Sequence, residues 1–268
     1  MDRNNLTKAQ RWELADYLAE TRLKQINKKC RKVKPARNFY SKYIKRLIDI
    51  AVSSVMLIIT LPVNFVIFLI TAVTLGSPVF FRQERIGKNG KPFTIVKFRN
   101  MTNKTDKNGE LLPASERVTR CGKFLRKTSL DELLNFWSIL KGDMSLIGPR
   151  PLVPEYTHRY NKFHKYRLSV RPGLECPPRK ITNKVWTWQE QFDNDIWYVE
   201  HVSFLTDCKM IVNLARFALD SKSAEARASV NERGTFFGYD LNGKAINLDE
   251  VPQEIIDRLF DESMAESK

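Results

Sequence analysis

Two adjacent carboxylates, Asp131 and Glu132, stand five residues after Arg126. They are followed by Asp143 on a Lys-Gly-Asp turn and by Arg150 between Pro149 and Pro151. Carboxylates and guanidinium groups at this spacing suit chemistry on a phosphate with a metal ion. One carboxylate can attack phosphorus and form an acyl-phosphate, while its neighbour can hold Mg²⁺ and neutralise a diphosphate. Guanidinium matches phosphate oxygens two at a time, so Arg126 and Arg150 are the candidate clamps. Prolines on both sides restrict the backbone at Arg150, which presents its side chain at small entropic cost. A plainer reading stands beside this one. Ser129-Leu130-Asp131-Glu132 has the spacing of a helix capping box, in which Ser129 caps and Glu132 reaches back. Asp143 can simply close its turn, and Arg150 can be a solvated loop residue. On these residues alone both readings hold.

Membrane attachment is the stronger signal elsewhere. The 268-residue chain carries a net charge of +15, and residues 1–46 hold fourteen Lys/Arg against four Asp/Glu, so +10 of it lies there. A basic block beside an apolar stretch points to an anionic surface, either nucleic acid or a cytoplasmic membrane face. The next 32 residues free of any charge, 50–81, favour the membrane. No aromatic-basic interleaving or groove-reading motif supports a nucleic-acid partner. The four cysteines (Cys30, Cys121, Cys176, Cys208) are far apart, lack metal-ligand spacing and fit a reducing compartment.

The apolar segment, roughly residues 44–75, is long enough to cross a bilayer, which takes about 20 residues. Pro62 near its middle removes a backbone hydrogen bond. Each half is then about 13–18 residues, or roughly 20–27 Å, short of a core of about 30 Å. Basic residues flank both ends (Lys42, Lys45, Arg46; Arg82, Arg85, Lys88, Lys91), which places both on the cytoplasmic side. The pattern predicts a helix that enters, breaks at Pro62 and returns. The alternative is a single kinked span.

Around it, residues 5–29 read as an amphipathic helix with Leu6, Trp12, Leu14, Leu18 and Ile26 on one side, packed either on the body or on the membrane surface. Residues 78–81 and 93–98 alternate as strands joined by a turn at 87–92. Helices are expected near 116–125, 130–140, 155–170 and 202–219. A hairpin is expected over 235–247 with Asn242-Gly243 at its turn, and an acidic tail covers 249–266. The expected fold class is mostly helical α/β. Its parts are a basic extension (1–38), the re-entrant helix (39–76), a cytoplasmic catalytic domain (77–220) and a C-terminal hairpin with the tail (221–268).

The run Arg126–Pro151, with Gln83-Glu84-Arg85-Ile86-Gly87, Lys97-Phe98-Arg99-Asn100-Met101, Val170-Arg171-Pro172-Gly173 and Asp195-Ile196-Trp197-Tyr198-Val199, resembles bacterial sugar transferases. These are the monotopic phosphoglycosyl transferases, which load a phosphosugar onto polyprenyl phosphate. The resemblance spans residues 40–219. It implies transfer of a sugar phosphate from a UDP-sugar to undecaprenyl phosphate with UMP released, on the cytoplasmic face of the bacterial inner membrane, starting a surface glycan. It makes Asp131 the nucleophile and Glu132 its metal-associated partner, with Asp131, Glu132 and Asp195 as the metal residues. Arg85 and Lys97 join the phosphate-binding cations, Asp195 lies near the Mg²⁺ (or Mn²⁺), and Asp143, Pro149 and Pro151 are supporting residues. Membrane lipid is an expected partner, nucleic acid is not, and a homodimer stays open.

The chain departs from the family pattern in two places. Leu61 precedes Pro62 where members carry serine, with Thr60 and Asn64 as nearby substitutes. The loop 174–180, Leu-Glu-Cys-Pro-Pro-Arg-Lys, differs from the usual sequence, so the identity of the sugar does not carry over. The competing reading is a membrane-bound scaffold of the same fold without turnover, against which the intact Asp131-Glu132 pair counts.

Overall fold

The computed structural model describes residues 2–107, 109, 111–177, 186–219 and 234–260. Part of the divergent loop, 178–180, and the end of the acidic tail, 261–266, lie outside them. Helix α1 (Lys8–Lys29) opens on a capping box of its own, Thr7 with Gln10. Its apolar stripe is taken up inside the protein. Leu6, Leu14, Ala15 and Leu18 pack with Phe237, Ile246, Val251 and Ile256. These belong to the C-terminal unit of strands β5 (Gly238–Tyr239) and β6 (Ala245–Ile246) and helix α8 (Gln253–Phe260). The amphipathic extension is therefore a packed element, and the membrane-surface alternative is not what its apolar face serves.

Helix α2 runs from Lys45 to Leu75 with Pro62 inside it. The expected division into two half-helices is not seen, because helical backbone continues through the proline. Thr60 Oγ1 donates to the Met56 carbonyl at 2.7 Å, and Asn64 Nδ2 donates to Thr60 Oγ1 at 3.3 Å. At about 1.5 Å per residue the helix is roughly 46 Å long. It is amphipathic in reverse. Asp49, Ser53, Thr60, Ile67 and Thr71 are its buried residues, whereas Leu47, Val55, Ile58, Ile59, Leu61, Phe65 and Val73 are exposed. Spacings of four and seven put the buried set on one face, and that face lies on the body along most of its length. Near the start, Asp49 Oδ1 accepts from Ser145 Oγ and the Leu146 amide, both at 3.0 Å, and Lys45 pairs with Asp207 at 2.6 Å. Further along, Ile67 packs with Phe98 and Leu125. At the far end the Arg99 guanidinium caps the carbonyls of Leu75 and Gly76, as suits a cation at a helix C-terminus.

Strands β1 (Phe80–Ile86) and β2 (Pro92–Phe98) form the antiparallel hairpin, the first strand longer and later than the sequence pattern gives. Helices α3 (Ala114–Arg117), α4 (Arg120–Thr128) and α5 (Asn135–Lys141) follow, then strand β3 (Ser145–Ile147), paired in parallel with β4 (Gly173–Glu175). The single helix expected over 155–170 is two short 3₁₀ segments, Pro154–Arg159 and His164–Ser169. Between them the Asn161 side chain accepts from the His164 amide at 2.7 Å, a local bond that competes with helix continuation. Helices α6 (Trp188–His201) and α7 (Phe204–Leu219) complete the body. The main core gathers Tyr156, Tyr160, Trp188, Phe192, Phe236 and Tyr239.

Candidate active site

Arg85 and Lys97 sit on β1 and β2. In the register Arg85↔Phe93 and Phe81↔Lys97 they share one face of the hairpin, because side chains alternate along a strand. Asp131 and Glu132 follow α4. Its C-cap, Ser129, has φ 57°, which turns the chain sharply before the 3₁₀ turn Leu130–Glu132. That conformation removes the capping-box reading: Ser129 makes no side-chain cap. Glu132 instead reaches across to the hairpin. Its Oε1 accepts from Lys97 Nζ at 2.5 Å and Arg150 Nη2 at 2.6 Å.

Arg150 arrives from the loop after β3. Just past β3 the chain comes against β4 at two glycines without side chains: a Cβ on Gly173 would lie 2.2 Å from the Gly148 nitrogen. The close approach lets Arg150 Nη1 reach the Leu174 carbonyl and Glu175 Oε2, each at 3.2 Å. Pro149 and Pro151 act through their carbonyls, which accept from the Gly173 amide at 3.1 Å and from Arg85 at 3.4 Å. Glu175 lies in the divergent loop and was not singled out from sequence. Its place two residues after Gly173, inside the stretch 174–180 that departs from the family pattern, was the signal available.

Asn100 is the other residue missed. It is buried, its Nδ2 donates to Asp131 Oδ2 at 2.8 Å, and its Oδ1 accepts from Arg126 Nε at 3.2 Å. Gly122 on α4 lets that helix sit directly on the Asn100 carbonyl, 1.9 Å from where a Cβ would be. Arg126 thus faces the nucleophile candidate through an amide, with its Nη2 on the Met101 sulfur at 3.1 Å. Asn100 falls in the Lys97–Met101 block, which was the signal available.

The two neighbouring carboxylates have opposite electrostatics. Burial pushes Asp131 up, and the adjacent Glu132 adds to this against the pull of Lys97 and Arg126. Glu132 is also desolvated, but Arg150 and Lys97 outweigh that and hold it down at about 2. Glu132 is therefore a fixed anion between two cations, and Asp131 is the carboxylate whose charge is least stabilised. Arg85 is depressed by burial and by Arg150, and its buried Nε has no hydrogen-bond partner among the described residues. Such an orphaned cationic donor suits an incoming phosphate oxygen.

Not every expected residue joins this group. Asp143 pairs with Lys141 at 2.7 Å, which fits closure of its turn. Asp195 is fully buried and its Oδ2 accepts from Arg167 at 2.8 and 3.0 Å. Among the described residues no three His, Cys, Asp or Glu side chains are grouped to hold a metal, so the structure does not assemble Asp131, Glu132 and Asp195 as a ligand set. Asp131 and Glu132 alone remain a hard-oxygen donor pair of the kind that holds Mg²⁺ when substrate phosphates and water complete the shell.

A family model described as "Bacterial sugar transferase" matches residues 40–221. An uncharacterized sugar transferase, EpsL of Bacillus subtilis, is 38% identical over 182 residues, covering 68% of this chain and 90% of its own. The UDP-glucose:undecaprenyl-phosphate glucose-1-phosphate transferase of Klebsiella pneumoniae is 38% identical over 177 residues, 62% of this chain and 38% of its own. The undecaprenyl-phosphate galactose phosphotransferase of Salmonella typhimurium is 32% identical over 207 residues, 67% of this chain and 41% of its own. The matches thus span most of the first relative and about two fifths of the other two. The carboxylate pair, the arginine after β3 and the apolar helix all fall within the matched residues, and the chain belongs to the bacterial sugar transferase family of enzymes.

Proposed function

We propose that the chain transfers a sugar phosphate from a UDP-sugar to undecaprenyl phosphate and so begins a surface glycan on the cytoplasmic side of the bacterial inner membrane. The observation that carries this is the split of the acidic pair: a buried, upshifted Asp131 beside a Glu132 locked by Lys97 and Arg150. The relatives named as undecaprenyl-phosphate transferases supply the substrate classes.

In the first step an oxygen of ionised Asp131 forms a bond to the sugar-bearing β-phosphorus. The bond from that phosphorus to the bridging oxygen breaks, and UMP leaves with the electron pair. In the second step a phosphate oxygen of undecaprenyl phosphate attacks the same phosphorus, and the Asp131 carboxylate leaves unchanged. Asn100 orients the nucleophile, while Arg85, Arg126, Lys97 and Arg150 meet the growing negative charge in a partly dry site. Mg²⁺ or Mn²⁺, held by Asp131 and Glu132, would supply further neutralisation of the diphosphate.

Incubation with the UDP-sugar donor and no lipid should add one phosphosugar mass, and Asp131→Asn should abolish it. An intact-mass spectrum without adduct, under conditions that support turnover, refutes the covalent route.

The same reading makes α2 monotopic, with both ends on the cytoplasmic side. Contact of the body with α2 near Asp49, Ile67 and Gly76 supports this, because a crossing helix would leave the body behind. Exposed Phe204, Leu205, Ile211 and Val212 on α7 add apolar surface that lipid can cover. Cysteine labelling before Lys42 and after Arg82 should report one side, and opposite sides would restore the single span.

A further inference from the structure

We infer that the buried Asp195–Arg167 pair is a positioning device for the main chain at Arg150, and that Asp195 is not a metal ligand. Arg167 is 3% exposed and Asp195 is fully buried. One carboxylate oxygen, Oδ2, takes both Arg167 Nε and Nη2, at 3.0 and 2.8 Å. The same Nη2 donates to the Arg150 carbonyl at 2.7 Å, and Nη1 reaches the Tyr160 hydroxyl at 3.4 Å. The guanidinium lies 5.6 Å from the Phe192 ring centroid and 5.7 Å from that of Tyr160, so it has aromatic rings around it as well as its ion partner.

Asp195 lies fully buried against Arg167, whereas Glu132 is 19% exposed beside a second carboxylate, so water and substrate oxygens can complete a cation's shell at Glu132 and not at Asp195. The geometry gives the pair a different task. A buried ion pair contributes little net stability, since desolvation offsets its attraction, but it fixes positions well. Here the fixed object is the Arg150 peptide. Arg167 holds its carbonyl, β4 holds Pro149 through the Gly173 amide, and the Ile86 amide holds Leu152. With the main chain pinned on these sides, the Arg150 guanidinium arrives at Glu132 in one orientation.

The test uses the full chain in nanodiscs and reads two quantities. Amide exchange at Gly148, Gly173 and Ile86, whose amides bond Glu175, Pro149 and Leu152, does not depend on any substrate. Turnover with a UDP-sugar, undecaprenyl phosphate and titrated Mg²⁺ rests on the function proposed above. Arg167→Gln and Asp195→Asn should each speed exchange at these amides at least tenfold while leaving α1 unchanged. They should lower kcat/KM at least tenfold with the half-saturating Mg²⁺ concentration within twofold of the unsubstituted chain. The double variant should be no worse than the worse single one. Arg167→Lys, which keeps the ion pair and loses the fork, should speed exchange and lower kcat/KM by smaller factors. It decides the matter if Asp195→Asn fails to fold. Unchanged exchange at Gly173 and Ile86, or a tenfold rise in the half-saturating Mg²⁺ concentration for Asp195→Asn, overturns the proposal. Absence of turnover by the unsubstituted chain sinks the functional reading, and exchange still decides this one.

Discussion

Asp131→Asn and Glu132→Gln are neighbouring, chemically equivalent changes, yet they should move stability in opposite directions. Glu132 is held at about 2 in the folded chain against an ordinary 4.5. A depressed carboxyl contributes stability that is present above the ordinary value and lost as pH falls through the folded one. At about 1.4 kcal/mol per tenfold change in proton affinity, the difference is worth roughly 3 kcal/mol. The side chain is 19% exposed, and glutamine keeps an acceptor oxygen for Lys97 and Arg150, so about 2–3 kcal/mol should be lost at neutral pH. For a chain of this size that is a fall in Tm of roughly 5–10 °C. Asp131 has the reverse sign. Burial and Glu132 raise it, so its charge costs stability at neutral pH, and the cost is relieved as pH falls through its raised value. Asp131→Asn removes that cost and should raise Tm while abolishing turnover, a trade expected where function holds a strained charge. Thermal unfolding in detergent, followed by intrinsic fluorescence from pH 7 to the lowest pH tolerated, reads both effects. The penalty of Glu132→Gln should shrink once pH drops below about 4.5. If Glu132→Gln proves as stable as the unsubstituted chain, or Asp131→Asn less stable, the assignment of the two carboxylates is wrong.

Other predictions follow from the same geometry. Arg150→Lys replaces a fork that meets Glu132, Glu175 and the Leu174 carbonyl with a point charge; kcat/KM should fall at least tenfold, about 1.4 kcal/mol, whereas Arg31→Lys at the surface pair with Glu200 should cost nothing measurable. The acid limb of the pH–kcat/KM profile should lie above the ordinary aspartate value of 3.8, because Asp131 must be ionised to attack and is raised; a limb at or below that value counts against Asp131 as the titrating group. Gly173→Ala drives a Cβ to 2.2 Å from the Gly148 nitrogen and should cost about 3 kcal/mol or more as backbone overpacking, seen as loss of folded protein in the membrane fraction.

The grouping of Glu132 with Lys97 and Arg150 in the candidate site was legible in the chain because its pattern is local. Asp131, Glu132 and Arg150 declare themselves through adjacency and flanking prolines. The capping-box reading failed because the left-handed turn at Ser129 depends on how α4 packs, which no four-residue pattern encodes. Asn100 and Glu175 were missed for a related reason: each meets the candidate site only when a strand or a glycine-to-glycine contact carries it to Asp131 or Arg150. The amphipathic stripe of α1 was legible, but its partner comes more than two hundred residues later, at Phe237 and Ile246. Arg22 of the same helix is buried with them and donates to the Tyr239 carbonyl at 2.6 Å.

The reversed amphipathicity of α2 bears on how this enzyme comes to exist. Its inward face carries Asp49, Ser53, Thr60 and Thr71, so before the body has folded those polar groups would have to sit against lipid or stay in water. The body has the complementary difficulty, because without α2 the Ser145 hydroxyl and the Leu146 amide lose Asp49, and Asp207 loses Lys45. On the membrane reading proposed above, adsorption to the bilayer and closure of the body should be one cooperative event. A cut after Gly76 should yield an unroofed, aggregating fragment in place of a soluble catalytic domain, since the helix is a wall of the enzyme as well as its proposed anchor.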